Sequence, residues 1–149
     1  MTTTLMTDPA DERIRVVTVI NKELEPGKAM NTIAHLAIGL GNIIGESGRE
    51  ALSFLDFVDG DGDVHPSISA RSLIVLRGTS NEISKLRAKA KDGGIPFVDF
   101  TDTMTGDTYV EQLERTATTP GSTLKYSGIA LVGQQETLQP LTKRFSMWK

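Results

Sequence analysis

Between Val16 and Gly41 the chain passes from a β-branched run, Val16-Val17-Thr18-Val19-Ile20, through a break at Glu25-Pro26-Gly27-Lys28 into a long helical pattern. A strand that enters a helix through a short turn opens an α/β domain. It also leaves the first helical N–H groups unpaired at the junction, where negative charge is favoured. Lys28 stands at that junction. The pattern predicts a helix from Gly27 to about Ile44, with Pro26 at its first turn, where a missing N–H costs nothing. Met30, Ile33, Ala34, Ala37, Ile38 and Gly41 recur at helical spacing and read as the stripe laid on a sheet.

The remaining chain continues in the same style. Ser53 to Val58 and Val64 to Ile68 flank the turn cluster Asp59-Gly60-Asp61-Gly62-Asp63, which predicts a small β-hairpin excursion. Leu73-Ile74-Val75-Leu76 is an unbroken apolar run of strand length, the mark of a central strand covered on both faces. Thr79 with Glu82 three positions on forms a capping box, and Ile83, Leu86 and Ala90 supply the buried stripe of a second helix closed by Gly93-Gly94. Ile95 to Phe100 reads as a strand, Tyr109 and Leu113 as part of a short extra helix, Ser127 to Val132 as a strand and Glu136 to Arg144 as a last helix. This order predicts a three-layer α/β/α architecture with a mixed four-stranded sheet. Residues 1–12, Thr-rich and then acidic, read as a disordered tail, and residues 13–149 as a single α/β domain.

At 149 residues the chain can bury a core without metal or disulfide support, and it has no cysteine, which removes thiol nucleophiles and zinc–thiolate sites. The N-terminal stretch has no basic and apolar signal pattern, and Ile33 to Leu40, the longest apolar run, is too short to span a bilayer; a cytoplasmic protein is expected. The net charge of −3 argues against a dedicated nucleic-acid binder. Residues 1–65, however, carry 5 Lys/Arg against 11 Asp/Glu, and residues 66–149 carry 11 against 8, so a basic face remains available to tRNA-like partners.

Ligands in open α/β folds gather at the carboxyl ends of strands, the edge to which the turns at 23–28, 77–79 and 101–104 belong. Lys28, Asn31, Thr32 and His35 form a polar stripe there beside the apolar one. Asp102 leaves a strand at the same edge and could face Lys28; Asp99 is its rival as a general base. Asp59, Asp61 and Asp63 imitate the start of a calcium loop, but Val64 stands where Gly belongs and Ala70 where Glu belongs, so a hairpin turn is the expected reading. Gly27-Lys28 is not a phosphate-binding P-loop, and Gly39-Leu40-Gly41 closes a helix where a dinucleotide fingerprint would open one. No cofactor is implied.

Taken together, several stretches resemble the type II peptidyl-tRNA hydrolase superfamily. They are Val16 to Ile20 with Leu24 and Gly27-Lys28, Leu73 to Leu76, Ser84 to Lys91, Gly94-Ile95-Pro96, Asp102, Pro120-Gly121-Ser122 and Gly128-Ile129-Ala130-Leu131. Gly27 to Leu36, Tyr126 to Leu131 and Trp148 resemble an uncharacterised bacterial branch of it. The resemblance implies that Lys28 and Asp102 are catalytic, Lys28 stabilising an oxyanion and Asp102 orienting water for attack on a peptidyl-tRNA-type ester. It implies also that Thr118 or Thr119 lies near them, and that the protein is a homodimer. The chain departs from that pattern at Ala29-Met30, at Thr103-Met104 and by an insertion from Gly106 to Ala117, all at the catalytic edge. The alternative is a non-catalytic module that holds a small anionic ligand at the same edge; on either reading Asn31, Thr32, His35, Thr118 and Thr119 are the candidate binding residues.

Overall fold

The computed structural model describes residues 13–149; the expected N-terminal tail, residues 1–12, lies outside the described residues. The chain runs β1 (Ile14–Asn21), α1 (Pro26–Ile43), α2 (Gly45–Leu52), β2 (Phe54–Val58), β3 (Val64–Ser69), β4 (Leu73–Gly78) and α3 (Ser80–Asp92). It continues through β5 (Phe97–Thr101), α4 (Tyr109–Thr118), β6 (Tyr126–Gln134), α5 (Gln135–Thr142) and β7 (Ser146–Met147). Five strands form one mixed sheet in the order β5-β6-β1-β4-β7, and β2 with β3 forms a separate hairpin. The sheet therefore has five strands, not the expected four. The addition is β7, whose two residues pair with Leu76 and Arg77 and are too few to leave a sequence pattern.

β1 is parallel to β4 and antiparallel to β6, and β6 is antiparallel to β5. It follows that β1, β4 and β5 all end at the same edge, at Asn21, Gly78 and Thr101, where β6 begins at Tyr126. Alternation along β1 sends successive side chains to opposite faces. Val17 and Val19 join Ile83, Leu86 and Ala90 of α3 and Leu138 of α5 in one cluster. Val16 and Ile20 join Ala29, Leu36 and Leu40 of α1 and Leu52 of α2 in the other. The helices thus form two outer layers around the sheet. Thr18, buried in the middle of β1, satisfies its hydroxyl by donating to the Ile74 carbonyl at 3.1 Å.

Two expectations need correction. The face of α1 that meets the sheet is Ala29, Thr32, Leu36 and Leu40; Met30 and Ile38 are 65% and 76% exposed. Apolar and small residues surround this helix on most sides, so periodicity alone chose the wrong flank. The structure settles the choice through Gly128 of β6, where a Cβ would stand 2.9 Å from Ile20 Cδ1 and Thr32 Cγ2 and 3.0 Å from Leu36 Cδ1. Only glycine lets α1 lie this close. β4 is an interior strand between β1 and β7, as expected, but it is not covered along its whole length: Leu73 is 46% exposed, because the two residues of β7 pair only with Leu76 and Arg77.

The capping box of α3 is as expected. Thr79 caps α3 by accepting from the Glu82 N–H at 3.2 Å, and Glu82 Oε1 returns to the Thr79 N–H at 3.3 Å. The hairpin β2–β3 stands off the body with almost every side chain exposed. At its tip Asp59 Oδ1 accepts the N–H groups of Asp61 and Asp63, at 2.9 and 3.0 Å, and Oδ2 lies 3.2 Å from His65 Nε2. Those backbone donors, with His65, hold the Asp59 carboxyl below its ordinary value. The carboxylate that would begin a calcium loop is thus engaged in making the turn, and among the described residues no three His, Cys, Asp or Glu side chains come together to hold a metal ion. No helix among them is long and apolar enough to cross a membrane.

Candidate functional site

Where β1, β5 and β6 meet their shared edge, a cavity of about 410 Å³ opens beneath the first turns of α1, lined by Leu24, Gly27, Lys28, Asn31, Thr32, Phe100, Asp102, Thr105 and Ser127. Its construction follows from the elements that frame it. Asn21 ends β1 by donating from Nδ2 to the Tyr126 carbonyl at 2.9 Å, while its Oδ1 accepts the Glu23 N–H at 3.0 Å. That side chain turns the backbone so that Pro26 can start α1. Lys28 and Asn31 then project from the first turns with exposed side chains. Thr32, a turn along from Lys28, is buried and donates its hydroxyl to the Lys28 carbonyl at 2.8 Å.

The opposite wall comes from the end of β5. Pairing between β5 and β6 slips between Phe100, which faces Gly128, and Thr101, which faces Tyr126, leaving Ser127 as the extra residue of a β-bulge. Bulges re-aim side chains at sheet edges. Here the residue so displaced is Ser127, which is buried and lines the cavity.

Asp102 begins a short 3-10 turn after β5, and its backbone N–H donates to the Lys125 carbonyl at 3.0 Å. The loop beyond is anchored by α4. Arg115 donates to the carbonyls of Thr103 and Thr105 at 3.3 and 2.9 Å and pairs with Asp107 at 3.0 Å. Thr116 donates to the Thr103 hydroxyl at 2.9 Å, which in turn lies 2.8 Å from that of Thr101. No residue of α4 is buried. The helix is held to the loop by polar contacts, and through that loop it supports Asp102 and Thr105.

Lys28, Asn31, Thr32 and Asp102 therefore line one cavity. His35 is not in the cavity wall; its exposed ring stacks on Phe100, centroids 5.1 Å apart and 9° from parallel, and reaches the cavity only through that ring. Thr118 and Thr119 do not line the cavity either, because both hydroxyls donate to carbonyls of α4. Asp99 is committed to Arg87 at 3.1 Å and leaves Asp102 as the carboxylate of the site. Leu24, Phe100, Thr105 and Ser127 escaped sequence reasoning. Ser127 could not have been found from its strand pattern, since a bulge is a property of two strands.

The side chains of Lys28, Asn31, Asp102, Thr105 and Ser127 make no hydrogen bond or ion pair within the described residues. An ammonium, a carboxylate, an amide and two hydroxyls thus stand uncommitted around one apolar-walled space. The ammonium can hold an anionic group or a developing oxyanion, and the carboxylate can accept from a ligand donor or orient a water.

Residues 14–149 match the model of a family described as a protein of unknown function, DUF2000. The chain belongs to that family. Among solved structures it is similar to a protein of unknown function from Agrobacterium tumefaciens strain C58, at 18% identity, with 92% of this chain and 98% of that one covered and a TM-score of 0.76. The likeness shows a shared fold. No curated protein matches the chain. The resemblance to type II peptidyl-tRNA hydrolases is corrected by these findings: the matching family and the matching structure are both of unknown function, and neither connects the chain to that superfamily.

Proposed function

We propose that this member of the family binds a small organic anion in the cavity between α1 and the end of β5. The anionic group rests on Lys28, the apolar body lies against Leu24 and Phe100, and a donor on the ligand meets Asp102. One observation supports this above the others: five uncommitted polar side chains line a space of about 410 Å³. Sites for small molecules combine such few convergent polar groups with apolar walls. The Gly128 contact and the Arg115 anchors hold the two walls in place without any ligand, so little ordering free energy is lost on binding.

Titrating the full, ¹⁵N-labelled chain with phenylacetate and, separately, with phenethylamine tests this reading. Phenylacetate is expected to shift the amides of Lys28, Asn31, Asp102 and Ser127 saturably; phenethylamine, which lacks the anion, is expected to bind more weakly. Equal and unsaturable effects of the two would overturn the proposal.

A second reading is favoured by the presence of Lys28 and Asp102 on one cavity. It is hydrolysis of an ester, with Asp102 orienting water and Lys28 receiving the negative charge of the tetrahedral intermediate. Release of methanol from methyl phenylacetate, slowed in Asp102→Asn, separates it from simple binding.

A further inference from the structure

A second cleft lies on the same edge of the sheet, between the ends of β1 and β4. It has a volume of about 320 Å³ and is lined by Lys22, Arg77, Gly78, Glu82, Arg144, Phe145 and Ser146. Three of its features are independent of one another. The first is topological. β1 and β4 are parallel neighbours, yet the chain leaves β1 for α1 on one face of the sheet and leaves β4 for α3 on the other. Connections that diverge in this way open a crevice at the carboxyl ends of the two strands, where open α/β sheets hold their ligands.

The second feature is charge. Lys22, Arg77 and Arg144 are exposed, and within the described residues none of them has a carboxylate partner. The Arg144 guanidinium also lies over the Phe145 ring, 5.3 Å from its centroid. Glu82 is the single carboxylate in the lining, and it is turned to the N-terminus of α3, where Thr79 Oγ1 donates to it at 3.0 Å. That hydrogen bond first, then the Thr79 backbone N–H, and after them the positive charges of Arg144 and Lys22, keep its carboxyl below the ordinary value. Three cations against one carboxylate leave two positive charges in the cleft.

The third feature is room for the backbone. The Lys22 N–H donates to the Gly78 carbonyl at 2.9 Å, which carries strand pairing to the mouth of the cleft. A side chain at Gly78 would come within 2.8 Å of Phe145. Glycine here keeps Phe145 seated as the floor.

We propose that this cleft binds the phosphate group of a small phosphate monoester, held by Arg77, Arg144 and Lys22. A monoester is close to a dianion at neutral pH and matches the two net charges; a phosphodiester carries one. Planar guanidinium groups suit phosphate oxygens in a way that a single lysine does not. The inference does not depend on the Lys28 cavity, which is built by other residues.

Inorganic phosphate, titrated into the ¹⁵N-labelled chain at low ionic strength and pH 7.5, is the test. Saturable shifts are expected at Lys22, Gly78 and Ser146. Arg77→Gln and Arg144→Gln should each weaken binding about tenfold, the loss of one charge-assisted hydrogen bond. Glu82→Gln, which keeps the capping box, should tighten it. Affinity should fall between pH 7.5 and pH 5 as phosphate takes up its second proton. Dimethyl phosphate should bind more weakly. Unsaturable shifts, unaltered affinity in both arginine variants, or tighter binding of dimethyl phosphate would each overturn the proposal.

Discussion

Leu36→Ala is expected to cost about 3 kcal/mol of stability, within the range for truncating a fully buried leucine. Leu36 is 0% exposed and packs with Ile20, Ala29, Leu40 and Phe100, and its Cδ1 fills the space over Gly128. The cavity left behind is hard to close because β6 beneath it is an interior strand, held by β1 on one side and β5 on the other. For a chain of this length the loss corresponds to a fall in Tm of roughly 6–12 °C. Thermal unfolding followed by circular dichroism measures it. The result bears on the site as well as the core, because Leu36 and Thr32 seat the helix that carries Lys28 and Asn31. A fall of less than about 2 °C would mean that α1 is not seated on β6 as described.

Lys28→Ala is expected to do the reverse, weakening phenylacetate by more than tenfold while leaving Tm within about 2 °C. Lys28 is exposed and its ammonium has no partner among the described residues, and surface substitutions of that kind stay within about 0.5 kcal/mol. The effect on binding rests on charge. Two unit charges about 4 Å apart are worth roughly 1–4 kcal/mol between the limits of bulk water and a protein surface, and 1.4 kcal/mol is tenfold.

Asp102→Asn supplies the opposite sign. With a carboxylate ligand it removes a repulsive charge and should tighten phenylacetate; with L-phenylalanine, whose ammonium would meet Asp102, it should weaken binding. Isothermal titration of the three proteins with the two ligands distinguishes this account from a nonspecific effect. Shifts of the same sign for both ligands would show that Asp102 does not face the ligand.

How far the sequence reached depends on whether a feature is local. The strand-turn-helix at Val16 to Gly41, the capping box at Thr79 and Glu82, and the hairpin around Asp59 to Asp63 depend on neighbours in the chain, and the structure contains all three. Lys28 and Asp102 meet because each follows a strand and both strands run the same way, a consequence of topology that strand order made accessible. The buried face of α1 was not legible, since Ala29, Ala34 and Ala37 allow several flanks and the choice is made by Gly128, almost a hundred positions away. Ser127 enters the cavity through a register slip between two strands. The basic cleft draws Lys22, Arg77 and Arg144 from three segments far apart in the chain, which no local pattern links. The resemblance to type II peptidyl-tRNA hydrolases misled because short motifs spread along an α/β chain are not specific to one family.

A crystal structure of the protein grown with phenylacetate tests the central claim most directly. The account predicts the ligand between α1 and the end of β5, its carboxylate within ion-pair distance of Lys28 Nζ and its ring against Leu24 and Phe100. Phenylacetate bound elsewhere with that cavity empty would contradict it.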